Sequence, residues 1–363
     1  MREAVLAHLE ALVGFDTRNP PRAIGTGGIF DYLREHLPGF RIEVTDHGAG
    51  AVSMLAVRGE PARVFNVHLD TVPSSEAWTA DPLRLRIEGD RAIGLGACDI
   101  KGAAAGLVAA AAVTSGDAAF LFSTDEEAND ARCIRAFLAG DHGFREAIVA
   151  EPTHCEAVLA HRGISSALVR FRGQAGHASV ADALEASAVH RAMRWGAAAL
   201  DLVQGEAHQR FGGLTGLRFN IGTMAGGIKG NVIAPSAELR FNFRPLPSMS
   251  TDGLHARLQA LADDGAIDSY TETFRGPALP AGGLDGAERA RLAARDLADA
   301  LDLPIGNAVD FWTEASLFSE AGLTTFVYGP GDIAQAHTAD EWVEIAQLER
   351  YAGSVARILG AAA

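Results

Sequence analysis

The chain has 363 residues, 48% hydrophobic and 21% charged, which suits a water-soluble protein with two cores better than one ordinary compact domain. A formal net charge of -15 argues against a nucleic-acid partner, whose phosphates need a basic face, and requires that any anionic substrate meet a local cluster of arginines. No apolar run has the length of a membrane span, and the charges in MREAVLAHLEAL stand where a signal peptide needs a hydrophobic stretch, so a cytoplasmic protein without a membrane partner is expected.

In chain order, residues 3–12 have helical spacing and FDTRNPP, rich in turn residues, follows as a loop. A helix is predicted over 28–37, then strands over 41–44, 53–57 and 64–67. The Ala-rich stretch 101–113 predicts a helix, and 118–122 and 147–150 predict buried strands. This alternation favours an α/β sheet covered by helices. Past residue 157 the pattern changes to strand 165–172, helix 183–203, strands 217–223 and 238–244, helix 254–261 and strand 269–274. That β-α-β-β-α-β order is the ferredoxin-like arrangement and reads as an insertion. From Pro277 the α/β character resumes, with helix 287–300 and strand 324–328. The expected organisation is therefore a catalytic domain in two parts, 1–157 and 277–363, flanking an inserted domain over 158–276. Cys98, Cys133 and Cys155, odd in number and not closely paired, imply no disulfide framework.

Several acidic and histidine side chains stand just beyond predicted strands or just before a helix. VFNVHLDTVP ends a strand with His68 and Asp70, which share a face because extended residues two apart point the same way. Asp70 is placed to accept the ring proton of His68 and leave the other nitrogen for a metal. Asp99 lies in GLGACDIKG before the Ala-rich helix, Glu126 and Glu127 in STDEE, Glu151 after the strand IVA, and His337 in GPGDIAQAH. Singly, each has an ordinary alternative as a helix cap, solvated surface or structural histidine. Jointly they would converge at the carboxyl ends of strands, where open α/β folds bind ligands. Histidine and carboxylate donors in this number suit two zinc ions sharing one carboxylate, with one glutamate spare for proton transfer.

HLDTVP, GLGACDIKG, STDEE, AEPT and the final AH together resemble the co-catalytic zinc aminoacylase and carboxypeptidase family, and WTEAS with GPGDIAQAHTADE resemble its acetylornithine deacetylase branch. The resemblance implies a dizinc peptidase-like α/β catalytic domain with an inserted ferredoxin-like lid and dimerisation domain. It implies two Zn²⁺ per subunit, with Co²⁺ able to substitute. Asp99 would bridge them, His68 and Glu151 would hold one, Glu127 and His337 the other, and Glu126 would be the general base. His177 in GHAS would reach the partner subunit's oxyanion in a homodimer. Arg244 and Asn231 match substrate-carboxylate and inter-subunit positions, and Thr313 and Glu314 would line the acyl-amino-acid pocket. A cis peptide is implied at Asp99–Ile100. The implied activity is hydrolysis of a small-molecule N-acetyl amino acid in arginine biosynthesis, acetylcitrulline first and acetylornithine as the alternative. An exopeptidase using the same chemistry, and a metal-binding scaffold without turnover, are the further readings; a scaffold has no need of a spare Glu126.

Overall fold

Six strands pair into one mixed sheet in the order Arg41–Asp46, Val52–Arg58, Ala118–Ser123, Arg63–His68, Glu146–Val149 and Thr324–Val327. The first two run antiparallel to their neighbours, whereas Ala118–Ser123 and the three strands beyond it are mutually parallel. Parallel strands are covered on both faces, and Ala118–Ser123 is accordingly buried at every position. His68 pairs with Ser123, and Val149 with Val327, so the carboxyl ends of the parallel strands lie along one edge. This is a computed structural model, and it describes residues 1–360 except 129, 263 and 264.

The helix Gly102–Ala112 is buried from Gly102 to Ala111, because its small side chains let the helices Arg2–Val13 and Ile345–Gly360 close on it. Ile345–Gly360 was not among the expected elements, although Leu348, Tyr351, Val355 and Ile358 repeat at helical spacing and are all buried. Met1–Leu159, Ala290–Asn307 and residues from Thr313 onward make up this unit.

Ala160–Arg289 and Ala308–Trp312 form a second unit. Its antiparallel sheet runs Arg218–Gly226, Ser236–Arg244, Ile164–Arg172, Ile267–Gly276, the strand order of a ferredoxin-like fold. Along Ser236–Arg244, alternate residues Ala237, Leu239, Phe241 and Phe243 are buried, and Trp195 from the helix Ala188–Gly205 joins their cluster. The expected single helix over 183–203 is two, because Ser187 is extended (φ -76°, ψ 119°) and its hydroxyl caps the second by accepting from the His190 amide. The unit runs past the expected end at residue 276. His161 and Leu279 exchange main-chain hydrogen bonds of 2.9 and 3.1 Å, and Ala287 is buried in a cluster with Ala160, Phe211 and Leu246. The chain is thus an α/β protein carrying a ferredoxin-like α+β insertion. Among the described residues no helix is long and apolar enough to cross a membrane.

The tightest helix contact is testable. A Cβ on Gly106 would stand 2.7 Å from Tyr351 Cδ1. Gly106→Val should therefore overpack the helix pair and cost about 1 to 3 kcal/mol of stability. Calorimetry finding an unchanged melting temperature would show that the helices do not meet this closely.

Candidate active site

His68 closes its strand, Glu126 and Glu127 follow the neighbouring strand, Glu151 lies two residues beyond Val149, and His337 follows Thr324–Val327. Asp99 comes from the turn Ala97–Lys101, where its φ of -124° and ψ of 86° depart from helical geometry; its peptide to Ile100 is cis, as expected. The strand ends thus bring these groups into one cluster. His68 Nε2 is 3.1 Å from Asp99 Oδ1 and 3.9 Å from Glu151 Oε1. His337 Nε2 is 2.9 Å from Glu127 Oε1 and 3.3 Å from Asp99 Oδ2. Two groups of candidate ligand atoms result, His68–Asp99–Glu151 and Asp99–Glu127–His337, each with its atoms within 4.8 Å of one another. Asp99 belongs to both and offers a different oxygen to each histidine. His337 holds a left-handed backbone at φ +60°, which few residues other than glycine adopt.

The electrostatics of the cluster are those of crowded carboxyl groups. Burial pushes Glu151 up to about 7, against the pull of His68. Burial likewise raises Glu127, against its bond with His337, and raises Glu126 well above the carboxylate range, with Glu151, Glu127 and Glu314 adding their repulsion. Asp99 alone among the ligand carboxyls is held low, because His337 and His68 together outweigh its burial. In return, bonds to Asp99 and Glu127 push His337 up to about 11. Burial would lower His68, but Asp70, Asp99 and Glu151 carry it well above its usual value. Divalent cations would relieve this repulsion, and a mixed imidazole and carboxylate donor set fits zinc and its neighbours in the first transition row.

His68 Nδ1 lies 3.0 Å from the main-chain oxygen of Asp70 and 3.6 Å from Asp70 Oδ1. The nearer acceptor is the carbonyl, where the sequence had suggested the carboxylate; both lie on the Nδ1 side, so Nε2 remains the nitrogen turned to Asp99. The other Asp70 oxygen, Oδ2, accepts from Asn19 Nδ2 at 2.9 Å and from the Glu127 amide at 3.1 Å. Fully buried Asp70 therefore touches the elements carrying both histidine-based groups. Asn19 escaped the sequence reading because NPP looked like loop punctuation; its role depends on a partner 51 residues away.

The other expected site residues divide between the two units. Thr313 and Glu314 are buried, with Glu314 1% exposed and accepting from Ser123 Oγ at 3.0 Å. Burial, reinforced by Asp125, raises the Glu314 carboxyl well above the usual range. His177, Asn231 and Arg244 belong to the second unit. His177 is exposed, its Nδ1 accepts from the Ser179 amide at 3.3 Å, and the adjacent Ala178 amide donates to the Asn231 carbonyl at 3.2 Å. Arg244 ends its strand half-buried, and burial lowers its guanidinium from the usual value.

The chain matches peptidase family M20/M25/M40 over residues 64–361, a stretch that includes every candidate ligand described above. It is 68% identical to the N-acetyl-L-citrulline deacetylase of Xanthomonas campestris pv. campestris, across 98% of this chain and 97% of that protein. It is 31% identical to an acetylornithine deacetylase of Myxococcus xanthus, across 98% and 96%. Aminopeptidase PepT of Bacillus cereus shares the fold at a TM-score of 0.75 and 18% identity, covering 99% of this chain and 98% of that one. So does the YXEP protein of Bacillus subtilis, a dinuclear metal binding peptidase, at a TM-score of 0.65 and 14% identity over 99% and 97%. With its strand-end carboxylates and histidines and this full-length kinship, the chain belongs to the M20/M25/M40 peptidase family of hydrolases.

Proposed function

We propose that this chain removes the acetyl group from N-acetyl-L-citrulline, releasing acetate and citrulline, with Asp99 shared between two metal ions. The observation that carries the chemistry is the pair of three-ligand groups meeting at Asp99 beside a spare Glu126; the choice of substrate follows the relative at 68% identity. His68 and Glu151 complete one site, Glu127 and His337 the other, and zinc is the ion that best suits the donors. When bound, the two ions would polarise the acetyl carbonyl and acidify a water. Glu126 takes the proton from the attacking water as the water oxygen adds to the carbonyl carbon. It then returns the proton to the α-nitrogen as the carbon–nitrogen bond breaks.

In the second unit, the Ser179 hydroxyl and amide both lie on the Nδ1 side of His177, at 2.7 and 3.3 Å, which suits an imidazole with its Nε2 hydrogen kept for another partner. That leaves a donor for the carbonyl oxygen as it gains charge. Arg244 has no carboxylate within 4.0 Å among the described residues, which suits a guanidinium kept for the substrate carboxylate. Arg218–Gly226 is an edge strand with Met224 exposed, and Ile228 just beyond it is 84% exposed. Such an edge is ready to pair with a second copy, and a homodimer would offer His177 to the neighbouring site. The second unit then serves as a lid and dimerisation domain.

A panel of acetylcitrulline, acetylornithine, acetylmethionine and dipeptides tests the substrate: kcat/KM should be highest for acetylcitrulline, and a higher value for any other member rejects this choice. Glu126→Gln should retain metal while kcat falls by about 10² to 10⁴; unaltered turnover removes Glu126 from proton transfer. Metal binding should release protons, because Glu151 at about 7 and His337 at about 11 must both be deprotonated to act as ligands. Affinity should rise with pH, most steeply below about 7, where both groups hold protons. Calorimetry in buffers of different ionisation enthalpy reads the release directly, and a binding heat independent of buffer would contradict it. Finally, mixing His177→Ala chains with Glu126→Gln chains should restore activity if His177 acts across subunits, since one site of each hybrid dimer then carries neither lesion. No recovery after demonstrated subunit exchange would place His177 in its own subunit's site.

A further inference from the structure

Glu341 lies four residues past His337, is 1% exposed, and turns its carboxylate into the segment that carries Asp99. Its Oε1 accepts from the amides of Cys98 and Asp99, both at 2.8 Å, and its Oε2 accepts from the Gly96 amide at 3.0 Å. One side chain thereby satisfies three amides of a segment that cannot satisfy them internally. Gly96 is left-handed at φ +77°, and the turn departs from helical geometry at Asp99 and Ile100. A buried amide without an acceptor is costly, so these three demand a partner. The space is also closed: a Cβ on Gly96 would meet Thr71 Cγ2 at 2.7 Å, and the main-chain Gly94 amide donates to the Glu341 carbonyl at 3.0 Å.

We infer that Glu341 is a positioning residue for the metal centre, setting the main chain of the shared ligand Asp99 against the segment that delivers His337. Glu341 touches neither ligand side chain. It acts through the Asp99 amide at one end and, at the other, through the few residues of chain linking it to His337. Asp99 Oδ2 and His337 Nε2 stand 3.3 Å apart, and the two segments that place them are tied together by this carboxylate. Ordinary packing would not need one acceptor to gather amides on both sides of Ala97. This inference rests on the reading of Asp99 as the shared metal ligand.

The test compares the full-length parent with Glu341→Ala, Glu341→Gln and Asp99→Asn, measuring zinc affinity by competition with a chromogenic chelator and melting temperatures with and without zinc. Glu341→Ala should weaken zinc binding by about 10- to 100-fold, the usual effect of removing a group that orients a ligand. It should also shrink the rise in melting temperature that zinc produces. Glu341→Gln, which keeps one carbonyl oxygen for Cys98 and Asp99, should recover most of both. Equal falls in both melting temperatures with zinc affinity unchanged would assign Glu341 to folding alone and overturn the inference. Asp99→Asn separates the two readings: if it keeps the parent's affinity, the shared-ligand reading fails, whereas if it alone loses affinity, only the role of Glu341 fails. Should Glu341→Ala not fold, hydrogen exchange on the metal-free parent decides. The Cys98 and Asp99 amides should be protected before any metal is present, and exchange at open-loop rates would overturn the inference.

Discussion

The site depends on mutual repulsion among carboxyl groups held at the ends of parallel strands. Asp70, Asp99, Asp125, Glu126, Glu127, Glu151 and Glu314 interact electrostatically around two imidazoles, and burial raises most of them above their ordinary range. Such a cluster opposes folding unless cations or hydrogen-bond donors offset it. Its retention is intelligible as the unliganded face of a site for divalent ions. Burial, with this repulsion added, favours the protonated form of Glu126.

The protein meets the demands of this cluster largely with main-chain donors and neutral side chains. Asp70 takes the Glu127 amide and the Asn19 side chain, Asp125 takes the Cys133 amide at 3.0 Å, and Glu314 takes the Ser123 hydroxyl. Neutral donors stabilise a buried charge without adding a competing cation that would occupy the metal's place. Rigid supports also reduce the reorganisation needed when ions and substrate arrive. The buried Ala-rich helix serves the same end, because small residues let its neighbours close tightly behind the Asp99 turn.

Most elements were legible because their periodicities are clean. VFNVH, AAFLF and the alternating AELRFNF can bury a face only as strands, and a run such as GAAAGLVAAAA suits only a closely packed helix. Ser187 was not legible as a break, since a serine within a helical pattern reads as a neutral position until its hydroxyl is seen to cap. The extension of the second unit to Arg289 also escaped, because a chain crossing secured by His161 and Leu279 leaves no periodic mark. The helix Ile345–Gly360, by contrast, carries a readable pattern and shows that the signal was present.

The amino-acid sequence by itself determined the kinds of groups available and their order along strand ends: an imidazole and carboxylate donor set, a spare glutamate, and a ferredoxin-like insertion. Those follow from local periodicity and residue chemistry, which act over a few residues. Tertiary structure alone decided which oxygen of Asp99 faces which histidine, that His68 leans on a carbonyl before a carboxylate, and that Glu314 is sealed against Ser123. It alone brought Asn19 to Asp70 and Glu341 to the Asp99 turn, across 51 and 242 residues of chain. A hydrogen bond needs its partners within a few tenths of an ångström, and over such separations only the packed fold sets that distance.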